Sequence, residues 1–254
     1  MTFTRRTALA ATLAVLAGSA MAQDAVRIGI AAEPYPPFAS PDAAGNWVGW
    51  EVDIINAICA AAELNCVITP VAWDGIIPSL TGNQIDVIMA SMSITEERMQ
   101  TIDFSDPYYN TPTVVVAAKE SGITPTPEGL DGMIIGVQAS TVHQDYAQTY
   151  FTGADIRIYQ TQDEANQDLV AGRLDAIQAD SIAMADFVAT EAGACCEIVG
   201  AVADDPAILG LGVGAGVRKG EDALREALNA GIAAIIADGT HAEITSRYFA
   251  APIL

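Results

Sequence analysis

The chain has 254 residues, 51% of them hydrophobic, and carries 32 acidic against 11 basic side chains, a formal charge of −21. That much apolar content excludes a disordered chain, and the acid excess excludes a protein that works on nucleic acid or on anionic lipid. The length suits two modest domains.

Arg5 and Arg6 precede the apolar run from Ala8 to Ala17, and Ala20-Met21-Ala22 is a small-x-small cleavage site. This is the pattern of an export signal. Residues 1–22 are therefore set aside, cleavage is expected after Ala22, and the mature chain keeps nine basic side chains against 32 acidic ones. The adjacent arginines also admit a twin-arginine route. No later apolar run is long enough to span a bilayer, so no membrane insertion is expected.

Val26 to Ile30 reads as a strand, followed by the stiff loop Glu33-Pro34-Tyr35-Pro36-Pro37-Phe38, which presents Tyr35 and Phe38. Val52, Ile55, Ile58, Cys59 and Ala62 share one face of a helix, and Cys66 to Ala72 is the next strand. In an exported chain a Cys59–Cys66 bridge would staple the helix end to the sheet. Trp73 and a short helix of Ile76, Ile77 and Leu80 lead into the stretch Ile85 to Arg98. There an apolar strand stops at Ala90-Ser91-Met92-Ser93, and Thr95 can cap a helix that opens with Glu96, Glu97 and Arg98. Backbone N–H groups at such a turn, the Ser91 and Ser93 hydroxyls and the Arg98 guanidinium together suit a carboxylate. The alternative is a surface ion pair of Arg98 with Glu96, Glu97 or Asp103.

Asp103 to Tyr109 reads as connecting chain that runs into a strand from Thr113 to Ala118. A second β-α-β-α-β set follows: strand Met133 to Val137, polar turn Gln138 to His143, helix Asp145 to Phe151, strand Asp155 to Tyr159, helix Asp163 to Ala171 and strand Leu174 to Gln178. Leu174-Asp175-Ala176-Ile177-Gln178-Ala179-Asp180 repeats Ile85-Asp86-Val87-Ile88-Met89-Ala90-Ser91 nearly position for position. Ser91 and Asp180 become counterparts at the carboxyl ends of equivalent strands, where open α/β sheets bind ligands. One unit offers Arg98 to an anion and the other offers Asp180 to a cation, an arrangement that fits the carboxylate and ammonium of an amino acid.

Ser181 to Thr190 reads as a helix and Cys196 to Val199 as a short edge strand. The adjacent Cys195 and Cys196 admit a vicinal disulfide, a pair between molecules or two free thiols. Gly210, Gly212, Gly214 and Gly216 alternate through a strand, but Arg218-Lys219-Gly220 stands where a dinucleotide fingerprint needs a helix start. Glu221 to Ala237 is a long amphipathic helix, and His241 to Phe249 closes the chain. His143 and His241 are far apart in sequence with no Cys/His/Asp cluster, so no metal and no cofactor are expected.

Tyr35-Pro36-Pro37-Phe38, Val48-Gly49-Trp50-Glu51-Val52-Asp53, Trp73-Asp74-Gly75-Ile76-Ile77-Pro78-Ser79-Leu80, Ser91-Met92-Ser93-Ile94-Thr95-Glu96-Glu97-Arg98, Ile135-Gly136-Val137-Gln138 and Ala237-Asp238-Gly239-Thr240 occur in this order. In this combination the mature chain resembles the periplasmic solute-binding proteins for polar amino acids that serve ABC importers, and it leans toward their lysine/arginine/ornithine-, histidine- and arginine-binding members. The resemblance implies a two-lobed α/β fold of the type II periplasmic binding proteins, each lobe a parallel-type sheet flanked by helices, with two crossing strands between them. Lobe one would take residues 24–110 and 212–254, and lobe two residues 114–209. It also implies a monomer that captures a free amino acid and presents it to an inner-membrane ABC permease.

Carried over by position, Arg98 looks like the α-carboxylate clamp, with Ser91, Thr141 and Val142 adding backbone amides. Asp180 and Ser93 look like the α-ammonium site, and Tyr35 and Trp73 like the aromatic plates around the ligand side chain. Ala90 stands where basic-amino-acid binders carry a small hydroxyl residue, and Ala139-Ser140-Thr141-Val142 replaces the usual Gly-Thr-Thr-like turn. Glu33, Gln138 and His143 are the candidates to read the far end of the ligand, which leans the reading toward a basic amino acid. Two alternatives share the fold: an enzyme resembling cyclohexadienyl dehydratases, with Glu33 or His143 as acid or base, and a receptor for a membrane sensor.

Overall fold

The computed structural model describes residues 25–254. The export segment and its cleavage after Ala22 lie outside the described residues. The chain first makes β1 (Val26–Ala31), a small ribbon of β2 (Ser40–Pro41) and β3 (Trp47–Val48), α1 (Trp50–Ala61) and β4 (Cys66–Val71). A 3-10 turn at Trp73–Gly75 opens α2 (Ile76–Thr81), and β5 (Val87–Ile88), α3 (Glu96–Met99) and β6 (Ile102–Tyr109) follow. Next come β7 (Thr113–Ala118), β8 (Ile134–Gln138), α4 (Val142–Tyr150), β9 (Asp155–Tyr159), α5 (Gln162–Val170) and β10 (Ala176–Asp180). Helix α6 (Ser181–Ala189) and a 3-10 turn at Ala192–Cys195 lead to β11 (Cys196–Ala201) and α7 (Pro206–Leu209). The chain ends with β12 (Val213–Arg218), α8 (Asp222–Ala237) and α9 (Thr240–Tyr248).

Two five-stranded sheets result, with strand orders β4-β1-β5-β12-β6 and β11-β7-β10-β8-β9. Read from opposite ends, the two orders are the same. In the first sheet β1 runs parallel to β4 and β5, and in the second β8 runs parallel to β9 and β10, which are the expected β-α-β-α-β sets. Strands β12 and β7 join these sets antiparallel, so each sheet is mixed. The chain passes between the sheets twice, through residues 110–112 and 202–212.

The sequence repeat has a physical basis. Asp86 and Asp175 each turn back to accept the first strand's backbone, from Arg27 N at 2.9 Å and from Ile134 N at 2.8 Å. Arg27 and Arg218 converge on Asp86 as well and hold its carboxyl well below the usual range. Gly29 and Gly136 sit in β1 and β8, where a Cβ would fall 2.3 Å from Ile85 and 2.4 Å from Leu174. The apolar residue that opens each repeat fills the space that glycine leaves.

Around the first sheet, Ile54, Ile55 and Ile58 of α1 are buried in one cluster with Leu228, Ile232 and Ile235 of α8. The Cys59–Cys66 disulfide is formed, joining the end of α1 to the start of β4. Several elements differ from expectation: the β2–β3 ribbon and α7 have no counterpart in the sequence reading, and β12 begins at Val213, which leaves Gly210 and Gly212 outside it. Residues 102–109 form strand β6 and not a connector, disguised in sequence by Asp103, Asp106 and Pro107. The strand lies at a sheet edge, where proline is tolerated, and its pairing with β12 shifts register on both sides of Gly214. Helix α4 starts at Val142 and not at Asp145, because the Thr141 hydroxyl accepts from Gln144 N at 3.2 Å and caps it.

Candidate functional site

A cavity of about 560 Å³ lies between the two sheets. Glu33, Tyr35, Trp73, Ala90, Ser91, Ser93 and Arg98 line it from the first sheet's side, and Gln138, Thr141, Val142, His143 and Asp180 from the second. Every candidate named from sequence is therefore on its wall.

The turn after β5 is held from behind by a residue that sequence reasoning did not single out as a site residue. Glu51 is buried in the first turn of α1 and accepts from Ser91 N at 2.8 Å and from Ser91 Oγ at 3.0 Å. The Tyr108 hydroxyl donates to the same carboxylate, and burial pushes the Glu51 carboxyl upward. These bonds fix Ser91 at φ 54°, a left-handed conformation that a serine adopts only under constraint. An acid among the apolar residues Trp50, Val52 and Ile54 was the available signal.

Thr95 caps α3 as its position predicts, accepting from Arg98 N at 3.2 Å. The Arg98 guanidinium donates to the Ser93 carbonyl at 3.0 Å and to the Ser140 carbonyl at 3.3 Å, and lies 5.7 Å from the Trp73 ring centroid. Among the described residues no carboxylate forms an ion pair with it, and Asp103 takes Lys219 instead. The surface pairing with Glu96, Glu97 or Asp103 is thus not formed. Burial lowers the guanidinium to about 10, which Asp145 and Glu97 oppose. It remains charged at neutral pH, with carbonyl partners alone.

Asp180 mirrors this situation with the opposite sign. It caps α6, accepting from Ile182 N at 2.9 Å, and the Thr111 hydroxyl donates to its second oxygen. Burial pushes the carboxyl upward, these hydrogen bonds oppose the shift, and no cationic side chain among the described residues is paired with it. Thr111, in the first crossing segment, is a second residue that the sequence did not flag.

The remaining candidates divide by what they already hold. Tyr35 stacks on Phe38 at 5.7 Å between centroids, and burial together with the Asp180 charge raises its phenol well above the ordinary value. Trp73 Nε1 reaches across the cavity to the Ala139 carbonyl at 3.1 Å, while Trp73 N donates to Glu33 Oε2 at 3.1 Å. Gln138 spends its side-chain amide on the Gln160 carbonyl at 3.2 Å, and its own carbonyl accepts from Thr141 Oγ1 at 2.8 Å. His143 Nδ1 lies 3.2 Å from Thr113 Oγ1, and burial and the Arg98 charge lower the imidazole to about 4. It is neutral at pH 7. Ala90 and Val142 are buried wall residues without polar side chains. Among the described residues no group of three or more His, Cys, Asp or Glu side chains is arranged to hold a metal ion, and no helix is long and apolar enough to cross a membrane.

The sequence profile of the bacterial extracellular solute-binding proteins, family 3, matches residues 26–251. The chain belongs to that family. Among family 3 relatives, an L-arginine-binding protein of Pseudomonas aeruginosa is 40% identical over 227 residues, covering 88% of this chain and 87% of its own. A histidine-binding periplasmic protein of Salmonella typhimurium is 36% identical over 252 residues, covering 96% and 97%. A solved periplasmic binding protein of Salmonella typhimurium with high arginine specificity superposes with a TM-score of 0.81 at 30% identity, over 89% of this chain and 99% of that one. The two-sheet architecture is thus that of type II periplasmic amino-acid-binding proteins. Both of these relatives are named for binding an amino acid.

Proposed function

We propose that this family 3 protein captures a free amino acid, preferentially a basic one, without catalysis, and delivers it in the periplasm to an inner-membrane ABC permease, acting as a monomer. One observation carries the reading: a single cavity holds a guanidinium that lacks a carboxylate and, from the other sheet, a carboxylate that lacks a cation. An α-amino acid supplies both missing charges on one carbon. Arg98 takes its carboxylate, with backbone amides at Ser91, Thr141 and Val142, and Asp180 and Ser93 take its ammonium. Tyr35 and Trp73 flank its side chain. Glu33, with Gln138 and His143 nearby on the wall, reads the far end. The units that close on it are residues 24–110 with 212–254, and residues 114–209.

Of the charged side chains on the wall, Glu33, Glu51, Asp180 and Asp204 are acidic and Arg98 alone is basic. That excess of negative charge favours a ligand with a second positive group. The relatives named for arginine and histidine support the same preference.

The test is a thermal-shift screen of the mature protein against amino acids, opines, polyamines and prephenate, followed by calorimetric titration, since a ligand that binds only the folded form raises the melting temperature. Stabilisation by arginine, lysine, ornithine or histidine, with Glu33→Gln weakening these ligands more than neutral ones, is the expected result. A response to neutral or acidic amino acids alone overturns the basic preference. Turnover of prephenate without amino-acid binding overturns the binding reading altogether.

A further inference from the structure

The disulfide accounts for two of the four cysteines, and the other two are adjacent thiols, Cys195 exposed and Cys196 buried, with their Sγ atoms 3.2 Å apart. We propose that Cys195 and Cys196 form a reversible redox site that closes to a vicinal disulfide by exchange with a disulfide-bearing small molecule or protein.

The backbone presents the two sulfurs together. Cys195 ends the 3-10 turn and Cys196 opens β11, the edge strand of the second sheet. The Thr190 hydroxyl donates to the Phe187 carbonyl at 2.7 Å and accepts from Gly193 N at 3.0 Å, which ties the turn to the end of α6. Gly193 packs so tightly there that a Cβ would stand 2.2 Å from the Phe187 carbonyl oxygen. From the sheet side, Lys119 N donates to the Cys195 carbonyl at 3.0 Å, and Cys196 pairs with Ala118. The sulfur contact therefore belongs to a turn anchored on both sides.

The two thiols have different parts. Burial and the neighbouring Cys195 push the Cys196 thiol up to about 12, with Lys119 opposing, so it stays protonated until it is called into the reaction. Exposed Cys195 is the point of entry. Its thiolate attacks one sulfur of the donor disulfide, breaking that S–S bond, releasing one donor thiol and leaving a mixed disulfide on Cys195. Cys196 then loses its proton, attacks the Cys195 sulfur and displaces the second donor thiol. Two protein thiols have lost two electrons and two protons, and the donor disulfide has gained them. An extracellular family works where such donors persist, and the Cys59–Cys66 bond shows that this chain forms disulfides.

The experiment equilibrates the purified protein in glutathione buffers from reducing to oxidising, quenches with acid, alkylates under denaturing conditions and reads intact and peptide masses. The expected result is a passage from two alkylated thiols to none, with the peptide spanning Cys195 and Cys196 lighter by two hydrogens and the protein monomeric. Cys196→Ala should instead stop at a glutathione adduct on Cys195, while Cys195→Ala keeps one thiol that reacts only after unfolding. Two thiols that remain alkylatable in the most oxidising buffer overturn the proposal. So does a product linked between two chains, or one linked to Cys59 or Cys66.

Discussion

Arg98 is half-buried against Trp73 and backbone carbonyls, and carbonyl dipoles do not neutralise a guanidinium. Arg98→Ala should therefore weaken every α-amino-acid ligand by about 3–5 kcal/mol, because the ligand carboxylate would be buried unpaired. Calorimetric affinities within tenfold of the parent would remove Arg98 from the clamp role. His143 gives a pH signature of stability. Its imidazole titrates at about 4 in the folded protein against 6.5 when free. Between those values the unfolded chain takes up a proton that the folded chain refuses, so stability is full above 6.5 and falls as pH drops toward 4. The loss on going from pH 7 to 4.5 is about 2–3 kcal/mol. His241, also lowered by burial, adds to the same window. Urea unfolding at the two pH values should show a smaller difference in His143→Gln than in the parent, and an equal difference would mean that His143 is not held neutral. At this scale the sequence exposed Ser91 and Asp180, which close the repeated stretch, and Arg98, which stands in the helix just after the first copy. It hid Glu51, whose partners Ser91 and Tyr108 stand 40 and 57 residues away in the chain. No local pattern links an acid on one helix to a turn so far downstream.

Elements were legible where an apolar run or apolar spacing is clear, as in α1, β7, β9 and α8. They were illegible where tertiary pairing overrides composition, as in β6, whose acids and proline read as a connector until β12 pairs with it. The disulfide belongs to this scale because it joins the end of α1 to β4 across a sequence separation of 7. A loop that short limits what the bond removes from the unfolded ensemble, and Cys59→Ser with Cys66→Ser should cost about 2–3 kcal/mol. Chemical unfolding of the double variant measures it. A change below about 0.5 kcal/mol would mean that the α1 to β4 connection is equally restricted without the bond.

The two sheets meet through the cavity as well as through the crossing segments. Trp73 donates its indole N–H to Ala139, and Arg98 donates to Ser140, so two side chains from one sheet grip consecutive carbonyls after β8. Trp73→Phe keeps the ring and removes the first of these bonds. It should weaken binding of all ligands by about 1 kcal/mol, the net worth of a typical hydrogen bond. An unchanged affinity would assign Trp73 to side-chain packing alone. The second sheet is drawn from one unbroken stretch, residues 113–201, whereas the first is not. Strand β12 lies between β5 and β6, yet it leaves the ribosome more than a hundred residues after them. During synthesis, β5 and β6 must wait as open hydrogen-bonding edges while the entire insert emerges. Such edges recruit other chains. The late return of β12 thus makes the last sixth of the polypeptide, from Val213 on, the step that ends the risk of aggregation, and chains truncated before Val213 should depend most on chaperones.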